Sequence, residues 1–511
     1  MRKEEPWVKD LKSFFFGKKT WVWLALGLIL LFLTRIVNLT GLPIFCDEAI
    51  YIRWSQIAWK EASMRFISLT DGKQPFQTWI TIPFLKIFAD PLAAGRMQAV
   101  LAGILLPFVL GGMVIVFFPK RKKLPLLIFF LTIFSPYLLF HSRMALAEAW
   151  LTFFAAGSVF FSYLLAKTRR LDVALLAGAW LGLALLVKSQ ALFFLLLFPL
   201  GSIFVPVNFL EKDFSRVFKF FGLFLLSASI AYLIYNIQRL SPWMHMIAQK
   251  NQDFAVPLST ALREWPIFWQ NLKSSIMWFW VYLTWPVFLL SLVGFVLWLK
   301  KDWRQGLFLA GWFFLPFGAI NLIARIYNSR YLAFLAFLPI LWAGFCLSEA
   351  KKKISGHLFG LVLLLVFLLP VFRSYQLIFL PESFPFTKTD RGYLEGWTAG
   401  YGVKETAKIL AEIAQNQPVI VGTEGNFGLL SQGLEIYFAH HPQVTVLGYY
   451  PLPKLPPQEL VEAVKEDGKR AFFVANNTSG DFSKENFSLI AEFPKVNQQG
   501  SLRLYEVANK E

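Results

Sequence analysis

Again and again the chain runs for roughly 20 residues with almost no charge, the length an α-helix needs to cross the hydrocarbon core of a bilayer. About eleven such runs stand out, near 20–39, 93–118, 124–140, 144–166, 171–187, 189–207, 217–238, 274–299, 305–323, 329–348 and 355–379. In that solvent only helices and closed barrels satisfy every backbone hydrogen bond, and runs of this length suit helices. Composition agrees: 56% of residues are hydrophobic and 16% are charged, and there are 55 Phe and 19 Trp. A soluble fold carries about 25% charged residues. The expected fold class is a polytopic α-helical membrane protein.

The net charge of +18 would suggest nucleic acid in a soluble protein. Here the basic residues sit in short connections between apolar runs, which points to membrane topology and to no nucleic-acid partner. Every second connection is basic: the N-terminus with Arg2, Lys3, Lys9, Lys12, Lys18 and Lys19, then Lys120 to Lys123, Lys167 to Arg170, Lys212 to Lys219, Lys300 to Arg304, and Lys351 to Lys353. This phase places residues 1–19 in the cytoplasm and the C-terminus outside, in a multi-pass protein of the cell membrane. Cys46 and Cys346 lie far apart in sequence, so no disulfide framework is expected.

The domain expectation is a transmembrane body over 20–379, with external loops at 40–92 and 239–273, and an external α/β domain over 380–511. Beyond residue 380 the apolar runs shorten to strand length at Pro418–Thr423, Val444–Tyr450, Arg470–Asn477 and Leu502–Val507. Helical spacing appears between them at Val403–Gln415 and Pro457–Glu466.

Ionisable residues at the bilayer rim are costly and are therefore candidates for function. Asp47 and Glu48 follow the first span, with Arg53 beyond. Adjacent carboxylates there suit a general base or a ligand to a divalent cation. The plainer reading is a helix N-terminus whose acids offset the dipole. Asp71, Lys73, His141, Arg143, Glu148, Lys188, Arg330 and Tyr331 fall on the same external side by this topology. For each cation the plainer reading is snorkelling to headgroup phosphates. Carboxylates beside several cations at a lipid boundary suit a substrate that is both lipid and anion. Trp278, Trp280, Trp285 and Trp298 read as an interfacial belt or as the wall of a lipid groove.

These residues resemble the GT-C type membrane glycosyltransferases, in the branch of protein O-mannosyltransferases and aminoarabinose transferases (glycosyltransferase family 39). Asp47-Glu48 matches the acidic site after the first helix. Ser142-Arg143-Met144-Ala145-Leu146-Ala147-Glu148 is similar to Ser-Arg-x-x-Leu-Leu-Asp, with Glu148 in place of Asp. Gly182 to Lys188 resembles Gly-Leu-x-x-x-x-Lys. Lys73-Gln74-Pro75 resembles a Lys-Pro stretch, with Gly72 where relatives carry an acid. Asn328-Ser329-Arg330-Tyr331 resembles a terminal Arg-Tyr segment, and the tail from Gly396 resembles that of bacterial relatives.

The resemblance implies a GT-C-like membrane body and a hexosyl- or pentosyltransferase. A sugar would pass from a polyprenyl-phosphate donor to a hydroxyl of a glycan, lipid or protein on the external face. Asp47 would serve as base with inversion, and Glu48 would support it. Lys73, Arg143, Lys188 and Arg330 would hold the donor phosphate, with Arg53, Asp71, Glu148 and Tyr331 in support. A divalent cation at Asp47 and Glu48 is one expectation; an organic cofactor is not. The alternative class is a transporter or flippase of a lipid-linked sugar. Such proteins place ionisable groups and helix breaks at mid-membrane in paired repeats, whereas here the charges sit at span ends.

Overall fold

The computed structural model describes residues 18–206, 214–453, 455–465, 468–476, 486–496 and 500–507, with side chains from residue 21 onward. Residues 1–17 of the expected basic N-terminus, and Lys212 of the basic connection reaching to Lys219, lie outside the described residues. The chain divides into two compact units. One comprises 1–37, 68–77 and 99–387, and the other 38–67, 78–98 and 388–511.

The first unit is helical, and its helices follow the expected runs. Among the described residues, five helices are long and apolar enough to cross a membrane: Pro91–Phe117 (which begins in the other unit), Glu148–Thr168, Ser215–Leu240, Trp303–Ile323 and Gly356–Phe379. Two bent pairs raise the number to seven, and four shorter apolar helices complete the eleven segments: Trp21–Ile36, Leu124–Ile133, Leu171–Leu185 and Ser189–Phe204. Glu148–Thr168 is buried along most of its length. Ser215–Leu240 and Gly356–Phe379 leave most of theirs exposed, with Phe218, Leu233 and Leu368 facing outward. So large an apolar exterior marks a lipid-facing surface. The protein is a multi-pass membrane protein.

Three expected straight spans are broken. The segment 274–299 lies across two helices, Trp265–Tyr282 and Trp285–Lys301, bent by 111°. Pro286 occupies the first turn of the second helix, and a proline disfavours the helical region for the residue before it. Thr284 takes a left-handed φ of 68°. The tenth span bends by 50° after Leu335. The third stops at Ile133 and resumes at Pro136–His141. Asp302 caps the next helix by accepting from the Gln305 amide at 3.1 Å. Trp285–Lys301 and Phe337–Ala350 approach closely at Gly294, where a Cβ would strike the Trp342 carbonyl.

Among the described residues the second unit carries two sheets. β1 (Ile44–Phe45) pairs antiparallel with β2 (Ala399–Gly400). β3 (Val419–Glu424), β4 (Val444–Tyr449), β5 (Arg470–Asn476), β6 (Phe487–Pro494) and β7 (Ser501–Val507) form a sheet in the order β4-β3-β5-β7-β6. β3 runs parallel to β4 and β5, and β7 antiparallel to β5 and β6. Helices Val403–Ile413 and Gln458–Lys465 lie where spacing placed them. Leu429–Phe438 and β6 were not expected.

Residues 38–67 and 78–98, from the segment expected as a loop over 40–92, group with the C-terminal residues from 388 onward. Helix Cys46–Lys60 buries Ala49, Ile52 and Ala58. It packs beside Leu429–Phe438, with Gln56 Nε2 donating to the Ile436 carbonyl at 2.8 Å. That apolar face is what draws residues 38–67 into the C-terminal unit.

Candidate functional site

Four expected residues come together in the first unit. Lys188 sits just past helix Leu171–Leu185, at the turn before Ser189, and its Nζ lies 2.8 Å from Glu148 Oε1. Glu148 opens the buried helix Glu148–Thr168. The ring of Tyr331 lies near two cations, 4.9 Å from Lys188 Nζ and 5.5 Å from the Arg330 guanidinium carbon. Arg330 and the buried His141 also act electrostatically on Glu148. Lys188 is thus paired with Glu148, and Arg330 acts on the same carboxylate.

Lys73 belongs to a segment docked on the same turn. Gln74 Nε2 donates to Ser189 Oγ at 2.7 Å, and the Phe76 amide donates to the Leu186 carbonyl at 3.0 Å. Lys73 Nζ lies 3.4 Å from Asp71, which also meets Lys250 at 2.8 Å. Lys250 also lies 3.9 Å from Asp253, so Asp71 and Asp253 balance the two ammonium groups. Asn251 Nδ2 donates to Ser189 Oγ at 3.2 Å, tying the Lys250 region to that turn.

Arg143 has a different setting. Its Nη1 donates to the carbonyls of Thr34 and Arg35, each at 2.9 Å, closing the C-terminal end of helix Lys18–Ile36. Arg35 in turn donates to the carbonyls of Thr132 and Ile133 at 3.2 and 2.6 Å, at the end of Leu124–Ile133. Two arginines therefore satisfy carbonyls that helix ends leave open.

Asp47, Glu48 and Arg53 belong to the second unit. Glu48 is wholly buried, with Oε1 accepting from Arg96 Nε at 2.8 Å and Oε2 from Arg96 Nη2 at 2.7 Å and the Phe45 amide at 3.0 Å. Arg96 also binds the carbonyls of Leu39, Leu42 and Pro43. The capping reading thus accounts for Glu48. Asp47, beside it in the same first turn, is partly exposed. Arg53 pairs with Glu435 at 2.8 Å.

This donor set does not fit the divalent cation expected at Asp47 and Glu48. A guanidinium already neutralises Glu48, and among the described residues no three His, Cys, Asp or Glu side chains gather to hold an ion. The tryptophans divide as well. Trp278 and Trp298 are core residues, hydrogen-bonded to Thr387 and Gln305, whereas Trp280 and Trp285 are exposed. Sequence reasoning missed Arg96 and Lys250. A lone arginine at the edge of an apolar run was the signal for Arg96; Lys250 offered none.

The arrangement resembles solved structures. ArnT from Cupriavidus metallidurans in the apo state matches with a TM-score of 0.59 at 13% identity, over 96% of this chain and 99% of its own. The same protein bound to undecaprenyl phosphate matches with a TM-score of 0.58 at 13% identity, over 96% and 98%. The chain has the GT-C fold. Arabinofuranosyltransferase AftD from Mycobacteria matches with a TM-score of 0.49 at 14% identity, over 96% of this chain and 40% of its own. No family model and no curated protein matches the sequence.

Proposed function

We propose that the protein is a membrane glycosyltransferase that moves a sugar from a polyprenyl-phosphate donor to an acceptor hydroxyl on the extracytoplasmic face. The observation that carries this reading is the full-length fold similarity to ArnT, which has been solved bound to undecaprenyl phosphate. The cations Lys188 and Arg330 beside Tyr331, with Lys73 on the segment docked at the Lys188 turn, support it. The alternation of basic connections supports a cytoplasmic N-terminus and an extracytoplasmic C-terminal unit.

In the reaction the acceptor O–H bond breaks as its oxygen bonds to the anomeric carbon. The bond from that carbon to the phosphate oxygen breaks, and the electron pair leaves with the lipid phosphate. Cations fixed before the reaction stabilise that growing charge without reorganising. Lys188 and Arg330 are suited to it, since Tyr331 and Glu148 hold them in place. Lys73 is a third candidate, and Arg143 retains at most a share, given its bonds to two carbonyls. Asp47 is assigned the proton, and displacement by a single base inverts the anomeric centre. Glu48 supports Asp47 by fixing the helix that carries both.

The test is transfer of labelled sugar from polyprenyl-phosphate donors in membranes, comparing wild type with Asp47→Asn, with and without chelator. Lipid-dependent transfer in wild type and none in the variant is expected, with no effect of chelator. Full transfer by Asp47→Asn rejects that residue as base. No transfer with any donor, by folded protein, rejects the glycosyltransferase reading in favour of transport.

A further inference from the structure

A cavity of about 550 Å³ opens within the second unit. It is walled by the ends of helices Cys46–Lys60 and Phe76–Ile87 and by the chain that follows Leu429–Phe438. Lys60, Lys86, His440 and His441 line it, and no Asp or Glu does. Of the acids near in sequence, Glu61 is exposed and does not line the cavity, and two others are committed. Asp90 meets Lys404 at 2.5 Å and accepts from the Leu92 and Ala93 amides, and Glu435 meets Arg53. An adjoining hollow that shares Tyr437 and His441 adds Lys404 and Lys408 against one acid, Glu405.

Lysines in the last turn of a helix ordinarily offset its dipole, an effect confined to that turn. Lys60 does something else: its Nζ reaches across to the Ala439 carbonyl at 2.5 Å. Lys86 Nζ stands 5.6 Å from the centre of the Trp59 ring. Two ammonium groups without a carboxylate therefore flank one concave space that is otherwise walled by Trp59, Leu85, Phe88 and Ile436. A cleft lined by one sign of charge against low-dielectric walls concentrates the opposite charge. Its volume lies within the roughly 300–1,000 Å³ typical of small-molecule sites, far more than a bare inorganic anion fills.

We propose that this cavity binds a phosphate group carried on a larger organic body, with Lys60 and Lys86 as its charge partners and Trp59 as its apolar wall. Two sources share that chemistry, the headgroup of an anionic lipid and a soluble organic phosphate. The strongly exposed Ile87 stands at the cavity, compatible with either.

The experiment uses the full chain. Native mass spectrometry from nanodiscs reads retention of phosphatidic acid against phosphatidylcholine, and calorimetry in detergent reads binding of glycerol phosphate. Each is run on wild type, Lys60→Gln/Lys86→Gln and the single reversal Lys86→Glu, with thermal unfolding as the check on folding. Wild type should hold the phosphate ligand at least tenfold more tightly than the folded variants. Retention of phosphatidic acid alone identifies a lipid headgroup, and binding of glycerol phosphate as well identifies a site for soluble phosphates. Equal affinity in wild type and variants, or binding in neither arm, overturns the proposal.

Discussion

Arg96 closes its fork on Glu48, Nε to Oε1 at 2.8 Å and Nη2 to Oε2 at 2.7 Å, with both side chains wholly out of solvent. Removing one partner of such a buried pair strands the other charge, at about 3–5 kcal/mol. Glu48→Gln and Arg96→Met should each lower the unfolding temperature markedly, and the double variant should recover part of the loss. Thermal unfolding in detergent measures this. Equal and additive losses would mean that the pair is not coupled. Asp47→Asn should leave the unfolding temperature unchanged, which separates a chemical role from a structural one.

Lys188 is held by Glu148 at 2.8 Å and by the face of Tyr331. Removal of one preorganised group that stabilises developing charge commonly costs about 10²–10³-fold in turnover. Lys188→Met should therefore lower kcat on a polyprenyl-phosphate donor by about that factor, with Lys188→Arg intermediate. Steady-state kinetics on protein of wild-type unfolding temperature decides it. A change in KM alone would place Lys188 on the bound donor and away from the leaving charge.

Much of this architecture was legible because a bilayer imposes one requirement over a long stretch of sequence. Each expected apolar run is a helix or a helix pair. The breaks at Thr284 and after Leu335 were not, because an apolar run records length and averages over a kink. Lys188 and Arg330 stood out because a charge amid apolar neighbours is costly. Their convergence on Tyr331 required the fold. Lys250 lies in a polar segment and looks like any solvated lysine. Glu48 and Arg96 are far apart in sequence, and so are helices Cys46–Lys60 and Leu429–Phe438. Nothing local in either sequence specifies such a pairing.

Gly72 sets the course of the chain between Asp71 and Lys73. Its φ is 64°, and a Cβ there would lie 2.5 Å from both the Met246 carbonyl oxygen and Lys250 Cβ. Gly72→Ala combines left-handed strain with a clash against backbone, so a loss of about 1–3 kcal/mol is expected. Because Asp71 binds both Lys73 and Lys250, the shift should also weaken donor use. Unfolding temperature and donor KM should move together. Stable protein with wild-type KM would show that the segment can relax without disturbing Lys73.

Lys495 is buried in the second unit, where its Nζ donates to Asn476 Oδ1 at 2.5 Å and to the Gly396 carbonyl at 2.6 Å. Burial lowers its pKa from the ordinary 10.5 to about 8, opposed in part by Glu424. Below pH 8 the folded and unfolded chains both carry the proton, and the cost of burying the charge is constant. Between pH 8 and 10.5 the unfolded chain holds more protons, so stability rises with pH. The stabilisation is complete above 10.5 and is lost as pH falls through 8; a shift of this size corresponds to about 3 kcal/mol. Tyr449, whose hydroxyl is raised by burial and by Glu459, also begins to lose its proton in the unfolded chain toward the top of this range. The informative quantity is therefore wild-type stability minus that of Lys495→Met, followed by thermal unfolding of the full chain from pH 7.5 to 10.5. That difference should grow in favour of wild type as pH rises. A flat difference would show that Lys495 titrates alike in the folded and unfolded chains.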